Sequence, residues 1–203
     1  MALIAVLFAG AALSAQTPKE IISKMSAEMN RGEDEGFSMD FTMKMPIIGT
    51  VTSHNLIRGD KLKTIVSDSN KSSIGWSDET TMWSYDSESG EITIETKTSS
   101  AEKKDDSNLE AFDNIDNGYD ITLQKETDEA WYFLCKKSKS NKVKDDPKKI
   151  ELAVSKATYL PIYMRTKQSF FTISIENYTL GVSEESVTFD PAEYPDAKII
   201  DKR

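Results

Sequence analysis

The amino-acid sequence predicts a mainly β protein in which one amphipathic helix precedes about ten antiparallel strands. Apolar residues recur at helical spacing near the start of the chain, and from Phe37 onward they alternate with polar residues. Turn-forming residues interrupt this alternation at short intervals, as in antiparallel strands that are joined by tight connections. We therefore expect a single curved sheet that forms a partial or closed barrel, with the helix packed over its concave side.

The helix is predicted over residues 17–32. Thr17 is suited to cap it, Pro18 to occupy its first position, and Gly32 to follow its end. Its apolar residues recur at helical spacing and form one stripe, which consists of Ile21, Ile22, Met25 and Met29. A stripe of this kind must cover another apolar surface.

The strands follow without an interdomain linker or an internal repeat. The first, residues 37–45, alternates without a break and carries on one face Phe37, Met39, Phe41, Met43 and Met45. Further strands are predicted over residues 50–58, 61–68, 71–78, 80–86, 91–98, 119–126, 130–137, 149–156, 161–168 and 170–180. Residues 109–118 fit a short helix, and no strand is predicted in the tail, residues 187–201.

The phenylalanine and methionine residues of the first strand have two interpretations. Alternating apolar residues face the interior of any half-buried sheet, so a filled core is the default explanation. Methionine is unbranched and flexible, however, and methionine-rich surfaces accommodate apolar partners of varied shape. With Met25 and Met29 on the covering helix, these residues also fit a soft cavity for apolar chains. Both interpretations stay open at this point.

Composition and motifs argue against several classes of function. The net charge of −9 and the pI of about 4.8 disfavour nucleic acid as a partner, because phosphate binding needs a basic surface. A calcium-loop candidate that begins at Asp113 has Ile115 and Gln124 where metal ligands are needed. His54 has no sequence neighbour that would make it a base, and no nucleophile or phosphate-binding motif occurs. We expect neither catalysis, nor a metal, nor a cofactor.

Cys135 is the single cysteine, so the chain cannot form an intramolecular disulfide. It lies within the apolar, aromatic segment of the strand predicted over residues 130–137. No motif supplies a partner that would lower the pKa of its thiol. We expect a buried structural thiol rather than a nucleophile.

Lysines are concentrated in the segment from Lys136 to Lys149, which holds seven of them against two aspartates. A solvated connector is the usual explanation for such a charge run. The alternative is a docking patch for an acidic partner. The sequence leaves this choice open.

Residues 1–15 contain no charged side chain, and their apolar run is too short to span a membrane, which fits a secretory signal peptide. The tripeptide Leu-Ser-Ala at positions 13–15 has the form that precedes the lipidated cysteine of a bacterial lipoprotein. The next residue is Gln16, which offers no thiol. We therefore expect export without a lipid anchor, cleavage before Gln16, and one mature domain, residues 16–203. A cut after Ser14 is the alternative, because it places the small Ala12 three residues before the cleavage point.

Four short motifs are spread over the chain in a fixed order: F-x-x-x-F-T after the helix, an arginine at the end of the second strand, D-x-x-x-x-W-x-Y, and F-x-P near the end. They are formed by Phe37, Phe41 and Thr42; Arg58; Asp78, Trp83 and Tyr85; and Phe189 and Pro191. Their order and spacing resemble the LolA family, the periplasmic carriers of outer-membrane lipoproteins. The sequence departs from that pattern at Gly59, Glu79 and Ser87, where the family has Pro, Gly and Pro.

The resemblance implies a half-open barrel of antiparallel strands, with short helices as a lid over an apolar cavity for lipoprotein acyl chains. Together with the Phe/Met face, it implies that the cavity is lined by Met25, Met29, Phe37, Met39, Phe41, Met43, Met45, Leu56 and Trp83. Arg58 is the counterpart of an arginine that helps to hold the lid closed. The family also implies a periplasmic monomer that takes lipoproteins from an inner-membrane releasing transporter to an outer-membrane acceptor.

Other interpretations fit the same sequence. The membrane-anchored LolB receptor shares the fold, but Gln16 in place of the lipidated cysteine argues against it. A LolA-like binding module that senses or stores another apolar ligand is a second alternative. A structural or interaction domain with a filled core is a third.

Overall fold

The computed structural model describes residues 16–47, 49–68, 71–97, 115–144, 146–168 and 170–203. The N-terminal helix, α1 (Pro18–Asn30), begins where the sequence predicts. Thr17 Oγ1 accepts a hydrogen bond from the Glu20 amide at 3.3 Å, and the Glu20 carboxylate accepts one from the Thr17 amide at 2.8 Å. This capping box satisfies two of the amides that a helix start leaves without intrahelical partners. The signal peptide predicted over residues 1–15 lies outside the described residues, as does most of the short helix predicted over 109–118.

Gly32 follows α1, as predicted, but it also begins a four-residue helix, α2 (Gly32–Glu35). A Cβ at Gly32 would lie 2.8 Å from a ring carbon of Phe37 and 2.9 Å from the Tyr178 hydroxyl. The close approach of these two aromatic rings, rather than the helix end alone, therefore restricts this position to glycine.

The strands lie within two residues of their predicted bounds, apart from the last one. They are β1 (Phe37–Met45), β2 (Gly49–Arg58), β3 (Lys61–Asp68), β4 (Lys71–Ser77), β5 (Thr81–Asp86), β6 (Glu91–Thr96), β7 (Tyr119–Glu126), β8 (Ala130–Lys137), β9 (Lys149–Ser155), β10 (Pro161–Gln168), β11 (Phe171–Leu180) and β12 (Lys198–Asp201). The short helical segments are α3 (Ile115–Gly118), α4 (Glu184–Val187) and a 3-10 turn (Pro191–Glu193).

All twelve strands form one curved sheet in the order β12-β6-β5-β4-β3-β2-β1-β11-β10-β9-β8-β7. Neighbouring strands are antiparallel except β12 and β6, which run parallel. The first and last strands of this order do not pair, so the sheet stays open, and the predicted incomplete barrel is confirmed. The sequence does not predict β12, because a four-residue parallel strand depends on its contact with β6 and has little periodicity of its own.

One face of the sheet packs against α1, and we call it the helix face. Within β1 it carries the alternating apolar set that begins at Phe37 and ends at Met45. The buried core on this face consists of Ile21, Ile22, Met25, Met39, Ile115, Tyr119, Phe133, Cys135, Ile150, Leu152, Val154, Met164, Ile175 and Tyr178. It occupies the half of the sheet that runs from β1 through β11 to β7.

The opposite face, which we call the strap face, is apolar in the other half of the sheet. Trp76 of β4 and Trp83 of β5 are cross-strand partners there. Residues 182–197, which we call the C-terminal strap, cover both tryptophans. The ring of Phe189 stacks on Trp83 with centroids 5.6 Å apart, and Tyr194 lies edge-on to Trp76 at 5.6 Å. The sheet therefore has two apolar layers on opposite faces, one in each half.

Candidate ligand-binding site

The helix face brings together most of the residues that the sequence predicts for an acyl-chain cavity. Met25 and Met39 are 0% and 5% exposed, and they lie within the core. Met29, Phe37 and Phe41 pack against that core and are partly buried. Two further residues continue the same face of β1 toward the β1–β2 turn and are half-buried, namely Met43 and Met45. In this structure the space beneath α1 is filled by side chains.

The other three predicted site residues lie on the strap face. Leu56 is the cross-strand partner of Ser38, and Ser38 lies on the face of β1 opposite to Met39. Arg58 shares this face with Leu56, as period two predicts. Trp83 contacts Phe189 of the C-terminal strap. The sheet itself separates these three side chains from the Phe/Met set, so the structure does not bring all of the predicted residues to one cavity.

A groove of about 300 Å³ lies on the helix face over strands β3–β6, beyond the part that α1 covers. Its floor is Gly75, where the absence of a side chain leaves space: a Cβ built there would approach only the Trp83 carbonyl, at 3.9 Å. The side chains that line the groove on this face are Leu62, Thr64, Ser77, Met82, Ser84, Thr93 and Glu95. Two of them are large and apolar, and most of the others carry a hydroxyl group.

The register explains how the groove meets the core. One row across the helix face runs from Met39 to Asn55, Thr64, Gly75 and then Ser84. It therefore passes from a buried methionine of the core to the floor of the groove. Neither Gly75 nor the small side chain of Ser84 fills the space that α1 leaves uncovered.

Asn55 marks the boundary between core and groove. Its Nδ2 donates a hydrogen bond to Ser53 Oγ at 3.0 Å, and its Oδ1 accepts one from Thr64 Oγ1 at 3.0 Å. Because a buried amide is costly without partners, this network allows a polar side chain beside the methionine core. The network therefore places polar groups at the end of the groove that meets the core.

Arg58 joins the N-terminal helices to the C-terminal strap. Its Nη1 donates hydrogen bonds to the carbonyl oxygens of Glu35 at 2.8 Å and Val182 at 2.7 Å, and its Nε lies 3.7 Å from the Glu184 carboxylate. Lys61 adds an ion pair with Glu184. Arg58 is therefore a clasp between the end of α2 and the start of the strap. Its predicted role in closing a lid stays a prediction.

Motif residues from the middle and from the end of the chain meet in space. Trp83 stacks on Phe189, while Pro191 begins the 3-10 turn that Asp190 caps. Asp78 shapes the β4–β5 turn, because its Oδ1 accepts hydrogen bonds from the amides of Thr80 and Thr81. Burial raises the pKa of Asp78, but the hydrogen bonds from these amides and from the Thr80 hydroxyl, together with the charge of Lys61, outweigh it, so that the pKa lies below its usual value. The residues of these motifs therefore stabilise the β4–β5 turn and attach the strap to the sheet.

Sequence reasoning did not single out Trp76 or Tyr194, which complete the aromatic cluster on the strap face. Trp76 is 3% exposed, and its indole Nε1 has no hydrogen-bond partner within the described part of the chain. The available signal was the alternation of β4, which places Ile74 and Trp76 on one face, opposite to Gly75.

His54, which has no sequence neighbour that would make it a base, does meet a carboxylate on the strap face. His54 Nδ1 lies 2.7 Å from Asp40 Oδ1, and Asn177 donates a hydrogen bond to the other Asp40 oxygen at 2.7 Å. Burial raises the pKa of Asp40, but the hydrogen bonds from Asn177 and His54 outweigh it, so that the pKa lies below its usual value. All three side chains are partly exposed, and the cluster faces away from the groove.

Other chemistry is limited in the described residues. Cys135 is buried, and burial raises the pKa of its thiol to about 12, as expected of a structural cysteine. No group of three or more His, Cys, Asp or Glu side chains suited to a metal occurs in the described ranges. No helix among these residues has the length and apolar character that crossing a bilayer requires.

Comparison with known proteins adds evidence on the fold alone. No protein-family model and no curated protein matches the sequence. Among solved structures, LprF from Mycobacterium bovis superposes with a TM-score of 0.50 at 8% identity, covering 85% of this chain and 96% of that one. MucB, solved in complex with MucA, gives a TM-score of 0.48 at 12% identity, covering 86% of this chain and 60% of MucB.

A LolA superfamily protein from Nitrosomonas europaea aligns at 10% identity and a TM-score of 0.35, covering 87% of this chain and 99% of that one. At these identities the comparisons concern the course of the chain and not its ligand. The N-terminal helix and the single open antiparallel sheet give the protein a LolA-like fold, as the order of its motifs predicts.

Proposed function

We propose that this protein is an exported carrier that binds the acyl chains of lipoproteins on its helix face and moves them from the inner to the outer membrane. In this proposal it works in the periplasm after removal of residues 1–15. It receives cargo from an inner-membrane releasing transporter and delivers it to an outer-membrane acceptor. The observation that carries the proposal is the open groove over Gly75, which adjoins a methionine-rich core beneath α1.

Loading requires α1 to move, because its apolar residues fill the space beside the groove. Among the described residues, three side-chain contacts that involve polar groups join α1 and its N-terminal flank to the sheet side. Tyr178 donates a hydrogen bond to the Met29 carbonyl at 3.3 Å, Tyr159 donates one to the Gln16 side chain at 3.0 Å, and the Lys24 ammonium lies 5.0 Å from the centre of the Tyr159 ring. The attachment is otherwise largely apolar packing. An acyl chain offers the same kind of contact, and flexible methionines adapt to it.

The cost of displacing α1 and the gain from burying an acyl chain in its place are of similar size. Removing Ile21, Ile22 and Met25 from the core costs about 5–9 kcal/mol, at about 1.5–3 kcal/mol for each large apolar side chain. An acyl chain regains about 0.8 kcal/mol for each buried methylene, so on the order of ten methylenes offset this cost. A cargo with several acyl chains is therefore held, while the returning helix makes its release feasible.

A second candidate function follows from the hydroxyl groups of the groove. Thr64, Ser77, Ser84 and Thr93 give it more hydrogen-bonding capacity than a purely acyl-binding surface needs. This lining favours a ligand that joins an apolar part to a polar part. Under this alternative the protein is a LolA-like module that senses or stores a free lipid or another hydrophobic ligand.

Mass spectrometry of molecules that co-purify from the native host separates the two candidates. The carrier function predicts an acylated protein, and the alternative predicts free fatty acid, phospholipid or another amphiphile. Depletion adds a second criterion: if outer-membrane lipoproteins keep their location without this protein, the carrier function is wrong.

The variant Gly75→Leu tests the groove itself. A leucine there fills the groove, and displacing only two methylenes of a ligand lowers affinity about tenfold. The matched control is Ser73→Leu, two positions along the same face of β4 and outside the groove lining. We expect Gly75→Leu to lose bound cargo and Ser73→Leu to keep it. Equal cargo on both variants would exclude the groove as the site.

A further inference from the structure

The β8–β9 connection presents a cluster of exposed lysines around one exposed apolar side chain. Val143 is 59% exposed, a large value for valine. Four exposed lysines surround it along the chain: Lys139, Lys142, Lys144 and Lys148. None of these four forms an ion pair within the described residues, although Lys149 at the start of β9 pairs with Glu151. We call these five residues, Val143 included, the lysine loop.

Hydrogen bonds inside the connection hold this arrangement. Asn141 Nδ2 donates to the Gly118 carbonyl at 3.3 Å and to the Asp146 carboxylate at 2.7 Å, and Asn141 Oδ1 accepts from the Val143 amide at 3.0 Å. Lys137 also donates to the Val143 carbonyl. The carboxylate of Asp146 is thus engaged by Asn141. Lys142 donates a hydrogen bond to the Lys139 carbonyl at 2.7 Å, and all four lysines are exposed.

We propose that the lysine loop docks the protein on membranes that contain anionic lipids, with the lysines at the headgroups and Val143 at the interface. Lysine is a compact, strongly hydrated charge that suits a diffuse anionic surface, and it needs no defined partner geometry. Protein interfaces instead concentrate Tyr, Trp, Met and Arg at their centre and are poor in Lys. No aromatic residue or arginine occurs between Lys136 and Lys149, so the composition favours a lipid surface over an acidic protein.

The charge of the whole molecule makes such docking directional. The chain has a net charge of −9, although the segment from Lys136 to Lys149 holds seven lysines against two aspartates. The rest of the protein is therefore strongly acidic, and an anionic surface repels it. The lysine loop therefore carries the densest positive charge of the sequence, and this favours an approach with the loop toward the membrane.

This orientation places the start of α1 at the membrane. Thr17 and Lys19 line a cavity of about 450 Å³ together with Ser138 and Ser140 of the β8–β9 connection. The helix that must move for loading in the proposed function thus begins beside the docking surface. The docking proposal goes beyond that function and does not depend on it, because it concerns the cargo-free protein.

Vesicle flotation of the purified, cargo-free protein tests the proposal. We expect it to float with vesicles of phosphatidylglycerol and phosphatidylcholine at low salt, but not with vesicles of phosphatidylcholine alone. It should detach at 0.5 M salt, because the Debye length there is only about 4 Å and the charges are strongly screened. Each lysine near an anionic surface contributes about fivefold to binding. Replacing Lys139, Lys142 and Lys144 by Gln should therefore weaken binding on the order of 100-fold.

The matched control replaces three lysines on strands elsewhere, Lys125, Lys167 and Lys198, by Gln. It makes the same change in net charge as the triple loop variant. We expect this control to bind the vesicles about as well as the wild type does. A second variant, Val143→Trp, should strengthen binding and bring a blue-shifted emission on anionic vesicles, because tryptophan favours the membrane interface. Circular dichroism confirms that each variant is folded.

Three results would overturn the proposal: no flotation of the wild type, equal weakening in the two triple variants, or failure to bind vesicles while an immobilised poly-glutamate peptide is bound through the loop lysines. The last result would identify an acidic protein as the partner. Vesicle docking that persists in Gly75→Leu supports the proposal independently of any result on cargo.

Discussion

At the scale of single residues, Gly59 shows how one departure from the family pattern follows from local geometry. It lies in the turn between β2 and β3 with φ of +57°. The proline that the LolA family carries at this point has φ fixed near −65°, so it cannot occupy this turn. A Cβ at Gly59 would meet no atom within 4 Å. Backbone conformation, and not lack of space, therefore restricts the position.

We expect Gly59→Pro to lower the free energy of unfolding by about 3 kcal/mol or more, because the turn must rearrange. Gly59→Ala should cost about 1 kcal/mol, the strain of a left-handed conformation. Urea denaturation followed by tryptophan fluorescence measures both. Gly90→Ala is the control, since Gly90 also has positive φ, +66°, and open space around it. Wild-type stability in Gly59→Pro would show that this turn does not constrain the chain.

At the scale of elements, Arg58 and the C-terminal strap form one unit. Arg58 donates to two backbone carbonyls, one from the end of α2 and one from the start of the strap. Partly buried carbonyl oxygens need hydrogen-bond donors. Loss of the Arg58 guanidinium would remove the donor that both of these oxygens share. The strap in turn covers Trp76 and Trp83, so its attachment protects the aromatic cluster.

Arg58→Ala should lower the free energy of unfolding by about 2–6 kcal/mol, because it leaves two carbonyls without this donor and each unsatisfied carbonyl costs about 1–3 kcal/mol. It should also shift tryptophan emission to longer wavelength as the strap loosens. Arg165→Ala is the matched control, since Arg165 forms an exposed ion pair with Glu176 at 3.4 Å, a contact worth at most about 1 kcal/mol. If the two substitutions lower the free energy of unfolding equally, Arg58 does not hold the strap in place.

At the scale of the whole molecule, the two apolar layers lie on opposite faces and have separate covers. The helix α1 covers the β1 and β7–β11 half, and the C-terminal strap covers the β3–β6 half. Arg58 links the end of α2, the short helix that follows α1, to the start of the strap. In the proposed function, α1 would leave its face while the strap keeps the opposite layer covered.

Hydrogen exchange tests this independence. If cargo replaces α1 over the core, amides of residues 18–30 should exchange faster in the loaded protein than in the cargo-free one, because the helix loses its packing surface. Amides of the C-terminal strap, residues 182–197, serve as the internal control and should keep their rates. Unchanged or slower exchange in α1 on loading would rule out displacement of the helix.

Much of the fold could be predicted because local patterns encode it. Thr17, Pro18 and Glu20 specify the start of α1, and strict alternation specifies β1. The strand β12 was missed because it exists only through parallel pairing with β6. The candidate site was predicted less completely. The Phe/Met set of β1 and α1 does share a face, whereas Leu56 and Trp83 lie on the other side of the sheet.

The sequence by itself determined the mainly β class, the N-terminal helix, and which residues share a face within each strand. Only the tertiary structure decided which face each half of the sheet buries. Period two assigns residues to alternate sides of a strand, but it does not say which side α1 or the C-terminal strap will cover. That choice depends on contacts between distant segments, such as Trp83 with Phe189 and Arg58 with Val182. The groove over Gly75 results from the same choice, because it lies where neither cover reaches.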